Sequence, residues 1–250
     1  MRPRGPNSTV KNPYVRFHKL DKPPVALHET TLWDYPSQHY GKRPQGDPSY
    51  RGATPSHVIW NVLQRWSKPG DVVVDPFCGS GTTLDVCRDL GRTGRGFDVA
   101  PARDDVARAD ARKLPLPDKS AQVVFFDPPY ADNLAYSDDP KCIGKLSAES
   151  GAWQAAMSEV LREAARVLVK GGICAVFLCD IYKVKAGKRT FLPLGLYLAA
   201  AAEDAGLAPI EHIAVVRHGK TLESGAGSRQ AAKDRFLLRG FSHLLVFEKP

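Results

Sequence analysis

Val72-Val73-Val74-Asp75-Pro76-Phe77-Cys78-Gly79-Ser80-Gly81-Thr82-Thr83 changes character twice within one short stretch. The three valines form a β-branched run suited to a buried strand. Gly79-Ser80-Gly81 then supplies a turn, after which Leu84, Cys87 and Leu90 recur at helical spacing until Gly91 stops the helix. A strand passing through a glycine turn into a helix opens a βαβ unit. Glycines let the backbone turn tightly and come close to a ligand, and the helix start offers free N–H groups. Only G-x-G is present, without the third glycine of a dinucleotide site and without a Walker lysine. The turn therefore suits a ligand carrying a carboxylate and an adenosine but no pyrophosphate.

The next strand ends at Gly96-Phe97-Asp98, where an acid can accept hydrogen bonds from ribose hydroxyls. Asp110, before Ala111 and Arg112, is placed to reach an adenine edge. The plainer alternatives are a helix cap for Asp75 and a turn residue for Asp98. Upstream, Val58, Ile59, Val62, Leu63 and Trp66 share a helix face, with Thr54 as cap and Pro55 in the first helical position. Downstream come a strand over Gln122 to Phe126, a helical stripe from Trp153 to Leu168, and a strand over Ile173 to Leu178 opened by Gly171-Gly172. A helix over Leu194 to Ala205 and final strands at Ile213 to Val216 and Leu244 to Phe247 follow. Strands alternating with helices predict an α/β fold with a Rossmann-like, doubly wound, mostly parallel sheet.

The Gln122–Phe126 strand runs directly into Asp127-Pro128-Pro129-Tyr130. The prolines fix φ and remove two donors, leaving local carbonyls to accept. A carboxylate beside a rigid carbonyl can hold both hydrogens of an NH₂ group, and the adjacent ring can stack on a base. An exocyclic base nitrogen is a poor nucleophile because its lone pair is delocalised. Two acceptors draw it toward a tetrahedral shape and disperse the developing positive charge. A proline-stiffened turn is the bland alternative, outweighed by its place at a central strand end.

The chain has 250 residues with a net charge of +8; 43% are hydrophobic and 25% charged, ordinary for a globular protein. No apolar run is long enough to span a membrane, and the N-terminus has no secretory pattern. Cys78, Cys87, Cys142, Cys174 and Cys179 show no CxxC pair. Reduced thiols in a cytoplasmic protein, with no metal site, are expected. Positive charge concentrates in residues 1–22 and 217–240, as in proteins that meet a phosphate backbone. The organisation read from this is a basic extended arm over 1–30 and a single domain over 31–250. Loops near 131–152 and 218–242 are expected to reach the target.

With these two motifs the chain resembles the amino-methyltransferases of nucleic acids, the adenine-N6 and cytosine-N4 methylases of DNA and related RNA enzymes. Residues 75–83 resemble the family's cofactor loop, and Asp127-Pro128-Pro129-Tyr130 is identical to one form of its catalytic motif. The resemblance implies S-adenosylmethionine as cofactor and a methyl group moved onto an exocyclic amine. By it, Asp127 and the Pro128 carbonyl hold the amine, Pro129 stiffens the turn, and Tyr130 stacks on the flipped base. The implied cofactor site comprises Asp75, Pro76, Phe77, Cys78, Gly79, Ser80, Gly81, Thr82, Thr83, Asp98, Asp110 and Ala111. Thr54 and Ser56 would close over the methionine part. The resemblance favours DNA as partner, with the same chemistry on RNA, such as ribosomal cytosine N4, as the alternative; it leaves the oligomeric state open. An aspartate at 127 leans toward adenine. No large target-recognition domain follows the motifs, so the arm and the two loops are expected to carry recognition. Cytosine-C5 chemistry is disfavoured because it needs a cysteine nucleophile and no Pro-Cys pair exists.

Overall fold

A computed structural model describes residues 27–35, 37–50, 52–131, 137–185, 188–217 and 225–250. The expected arm lies almost wholly outside them. The chain builds an eight-stranded sheet in the order β1-β9-β10-β6-β5-β2-β3-β4. Its strands are β1 (Leu32–Trp33), β2 (Val72–Asp75), β3 (Thr93–Asp98), β4 (Val106–Arg108), β5 (Ala121–Phe126), β6 (Leu168–Leu178), β9 (Ala208–Val216) and β10 (Phe241–Glu248). Only β10 runs against its neighbours, antiparallel to both β6 and β9. From β2 the chain winds outward through β3 to β4, then returns to β5 and winds the other way to β6. The switch point between β2 and β5 is where an open sheet of this kind parts its connections and leaves a crevice.

Alternation along the strands sorts the core into two layers. Val74, Val124, Phe126, Cys174 and Val176 face one side, with Trp153, Met157, Val160 and Leu161 of helix α3 (Ala152–Val167) and Leu198 of α4 (Leu194–Asp204). Val73, Val123, Phe125, Ala175 and Phe177 face the other side. There they meet Val58, Ile59, Val62 and Leu63 of α1 (Ser56–Trp66) and Val86 and Cys87 of α2 (Thr82–Asp89). Trp33, Tyr35 and Tyr40, which precede α1 in sequence, belong to this second layer and pack with its residues.

Several boundaries differ from the sequence reading, each for a local reason. Thr54 does not cap α1; Pro55 takes that position and makes no side-chain cap, because the Thr54 hydroxyl is engaged elsewhere. Leu168 leaves the α3 stripe and opens β6 by pairing with Ala121, so the strand begins well before Ile173. An antiparallel hairpin of β7 (Ile181–Lys185) and β8 (Lys188–Leu192) was not anticipated, nor was helix α5 (Gly225–Lys233) inside the expected 218–242 loop. Residues 143–145 form a 3₁₀ turn in the segment expected to be irregular.

One polar contact locks the approach to β5. Glu163 on α3, only 8% exposed, accepts from the Leu114 N–H at 2.6 Å and pairs with Arg166 at 2.7 Å. Arg166 also donates to the Leu116 carbonyl. The Glu163→Ala variant leaves the buried Leu114 N–H without its acceptor, while Arg166 keeps Asp118 and the Leu116 carbonyl, and should lose about 1–3 kcal/mol of stability. Chemical denaturation checks this; a loss below about 0.5 kcal/mol, the level of an inert surface change, would contradict it.

Candidate active site

The C-terminal ends of β2, β3 and β5 open into a solvent-connected cleft. Two walls face each other across it. One is the turn after β2, the other the turn after β5.

On the first wall, Gly79 and Gly81 adopt positive φ of 43° and 78°. A side chain at Gly79 would run into the ring of Tyr50, and one at Gly81 into the guanidinium of Arg103. Glycine is therefore required by backbone shape and by close approach together. Asp98, at the end of β3, accepts from the Gly79 N–H at 3.0 Å and so ties the turn to the neighbouring strand. Asp75 accepts from the Thr83 hydroxyl at 2.5 Å and the Phe77 N–H at 3.0 Å. Burial, reinforced by the nearby Asp98 and opposed by those two bonds, pushes Asp75 up to about 7.

On the second wall, Asp127 retains part of its surface toward the cleft. Its Oδ1 accepts from the Tyr130 hydroxyl and its Oδ2 from the Thr54 hydroxyl, both at 2.7 Å. Burial pushes Asp127 up to about 7, with Asp75 adding to the shift and the two hydroxyls resisting it. The Pro129 carbonyl accepts from the indole N–H of the fully buried Trp153 at 2.8 Å and from the Ala131 N–H at 2.9 Å. The Pro128 carbonyl takes no hydrogen bond from the described residues, which leaves it as the acceptor beside Asp127. Ala131, at φ 52° and 0% exposed, turns the chain sharply away. A left-handed alanine costs about 1 kcal/mol or more, so the surrounding packing must hold it.

The cleft brings together nearly all of the residues singled out from sequence. Thr54, Asp75, Pro76, Phe77, Cys78, Gly79, Ser80, Thr82, Thr83, Asp98, Asp110, Ala111 and Asp127 to Tyr130 all line it. Two do not. Ser56 is buried at the start of α1, its hydroxyl bound to the Gln38 carbonyl. Gly81 turns away from the cleft beneath Arg103, whose guanidinium bonds the Ser80 carbonyl and Asp85. Thr54 lines the cleft but is committed to Asp127 rather than capping a helix. Both oxygens of Asp110 are engaged by Arg112, at 2.9 and 2.7 Å.

Sequence reasoning missed Tyr50, Lys141, Cys142 and Ile143 as wall residues. Tyr50 is an aromatic between Pro48 and Gly52, close to Pro44 and Gly46. That loop is carried to the cleft by the Asp47 N–H bonding the Ser80 carbonyl and the Gly46 N–H bonding Asp85, contacts that no local pattern announces. Among the described residues there is no cluster of His, Cys, Asp and Glu fit to hold a metal. The five cysteines are free and buried.

Comparison with known proteins meets this geometry from outside. Residues 6–108 match the N6_N4_Mtase family model, described as DNA methylase. The type II methyltransferase M.MjaII of Methanocaldococcus jannaschii is 33% identical over 75 residues, covering 30% of this chain and 14% of that protein. The type II methyltransferase M.ScaI of Streptomyces caespitosus is 32% identical over 118 residues, covering 42% of this chain and 39% of that protein. The chain thus spans well under half the length of these curated relatives. In fold it is similar to the crystal structure of TrmN from Thermus thermophilus, with a TM-score of 0.53, 21% identity, and coverage of 81% of this chain and 51% of that one. The matched family region carries the whole glycine turn and Asp98 and stops short of Asp127, so the Asp-Pro-Pro-Tyr wall is a second sign independent of the first. Both point the same way: over part of its length the chain is similar to the DNA methylases of the N6_N4_Mtase model and to type II methyltransferases.

Proposed function

We propose that this protein methylates the exocyclic amino group of a DNA base, adenine N6 or cytosine N4, using S-adenosylmethionine. The observation that carries the reading is the fixed carboxylate of Asp127 on the wall opposite the Gly79 turn, in one cleft. DNA rather than RNA is favoured by the DNA methylase family and by the type II methyltransferases among the relatives. The buried free thiols suit a reducing, cytoplasmic setting. We treat residues 31–250 as the catalytic unit, with 1–30 as a basic arm.

The first wall fits the cofactor. Phe77, Ala111 and Ile143 offer apolar surface for an adenine, Asp98 a carboxylate for ribose hydroxyls, and the turn before α2 backbone N–H groups for a carboxylate. When bound there, S-adenosylmethionine supplies an electrophilic methyl on a sulfonium. The second wall works on the amine. Asp127 accepts one N–H and the Pro128 carbonyl the other, which localises the nitrogen lone pair and stabilises the charge that develops on it. Thr54 holds one carboxylate oxygen, so the other presents a constant direction. The Tyr130 hydroxyl now occupies that second oxygen; an arriving amine takes its place, and the ring is left beside the base plane to stack on it. Trp153 and Ala131 keep the Pro129 carbonyl from competing for the amine.

Incubation with labelled cofactor and either plasmid DNA or ribosomal RNA, followed by nucleoside mass spectrometry, tests the reading. N6-methyladenine or N4-methylcytosine in DNA is expected; label confined to RNA would overturn the DNA assignment. Replacing Asp127 with Ala should lower turnover by roughly 10²–10³-fold or more, while cofactor affinity by calorimetry stays within a few-fold. Loss of cofactor binding instead would show that Asp127 serves the other wall.

The raised pKa of Asp127 has a signature in stability. The folded state keeps the proton up to about pH 7, whereas the unfolded chain loses it near the ordinary carboxylate value of 3.8. The contribution to stability is therefore complete below about pH 4 and lost as pH rises through 7. Asp127→Asn cannot ionise, so it should melt higher than the parent at pH 8, with the gap narrowing as pH falls and closing near pH 4. A gap independent of pH would refute the assigned shift.

A further inference from the structure

The β7–β8 hairpin and the segment 225–239 are not used by the chemistry above, and the topology brings them together. β6 and β9 both run parallel to β5, so Leu178 and Val216 end at the edge where Asp127 lies. The hairpin leaves from the end of β6. Residues 225–239 precede β10, and the ends of β9 and β10 are tied there by the Arg217 N–H to the Gly240 carbonyl at 2.9 Å. Both are therefore rooted at the sheet edge onto which the cleft opens.

They are joined by a stack of arginines and rings. Cζ of Arg189 on β8 lies 3.4 Å from the ring centre of Phe236 and 5.6 Å from that of Tyr182 on β7. Cζ of Arg239 lies 4.3 Å from the Tyr182 centre. Tyr182 also packs against Phe191 at 5.2 Å and edge-on to Phe236 at 6.0 Å. A guanidinium held flat on a ring loses rotamer freedom, which pre-organises it for a phosphate oxygen; one nitrogen of Arg189 also lies 3.9 Å from Asp234. Charge is one-sided here. Residues 181–192 carry Lys183, Lys185, Lys188 and Arg189 with no acid, and residues 225–239 carry Arg229, Lys233, Arg235 and Arg239 against Asp234 alone. Arg229 and Lys233 stand one turn apart on α5, both exposed. Phe191 and Leu237, 48% and 83% exposed, put apolar surface within the same patch, as proteins that press on sugars and bases beside a phosphate track do.

We infer that this arginine–aromatic clasp is the surface on which the phosphodiester backbone of duplex DNA docks, alongside the catalytic cleft. The inference rests on the proposed function for the choice of DNA. It assigns recognition to a folded two-part surface, of which the hairpin half lies outside the basic stretches at 1–22 and 217–240.

The test is fluorescence anisotropy with a 30-base-pair duplex as probe, over a range of salt, using the full chain. Arg229→Ala/Lys233→Ala keeps a helix-compatible residue at two exposed positions. It should weaken duplex affinity roughly tenfold and reduce the slope of log affinity against log salt by about 2, near 0.9 per lost phosphate contact. Arg189→Lys keeps the charge but not the planar stack, and should weaken affinity while leaving the slope within about half a contact. S-adenosylmethionine affinity by calorimetry should be unchanged in both, which shows that the fold and the first wall are intact. Unchanged duplex affinity and slope in the double variant would overturn the assignment, as would a loss seen only with a structured RNA probe. If the parent bound S-adenosylmethionine but methylated no DNA base, the functional reading would fail on its own account, separately from the docking surface.

Discussion

The parallel pairing of β2 with β5, in register at Val73 with Val123 and Val74 with Val124, is the constraint from which the rest follows. Two parallel neighbours must end at the same edge of the sheet. The chain departs from them in opposite directions, so nothing fills the gap between their exits. The Gly79 turn and the Asp127 turn are therefore obliged to face one another. The six flanking valines and phenylalanines that bury this pair on both faces, Val73, Val74, Val123, Val124, Phe125 and Phe126, fix the separation of two turns that are themselves polar.

Each turn is then made rigid by bonds its own sequence cannot supply. Asp98 reaches from β3 to the Gly79 N–H, Thr54 reaches from the start of α1 to Asp127, and Trp153 reaches from α3 to Pro129. Three separate connections thus converge on two turns. The electrostatic result is an unusual pair of carboxylates, Asp75 and Asp127, both raised to about 7 by burial. Because burial holds both acids back from ionising, a positive charge placed between them would draw each toward its carboxylate form.

Much of this is legible in the sequence because strands, turns and helices there follow local rules. The valine run, the glycines at 79 and 81, Gly91, and the Asp-Pro-Pro-Tyr turn all carry their conformation in their own residue types. What was not legible depends on partners far along the chain. Thr54 reads as a helix cap until Asp127, remote in sequence, is seen to take its hydroxyl. Leu168 continues the α3 stripe in pattern but is drawn into β6 by Ala121. The β7–β8 hairpin hides because its lysines interrupt the apolar alternation, and it is held instead by Arg189 and Arg239 against Tyr182 and Phe236. Ser56 and Gly81 belong to the right segments but face away from the cleft, because a segment's identity does not settle which of its residues point inward.

The most direct check on the central claim is a crystal structure with S-adenosylhomocysteine bound. The account predicts the adenosine beside Asp98 and Ala111 and the sulfur facing the Asp127 carboxylate across the cleft, with room for one planar base beside Tyr130. A ligand bound outside this cleft, or one whose sulfur points away from Asp127, would contradict it.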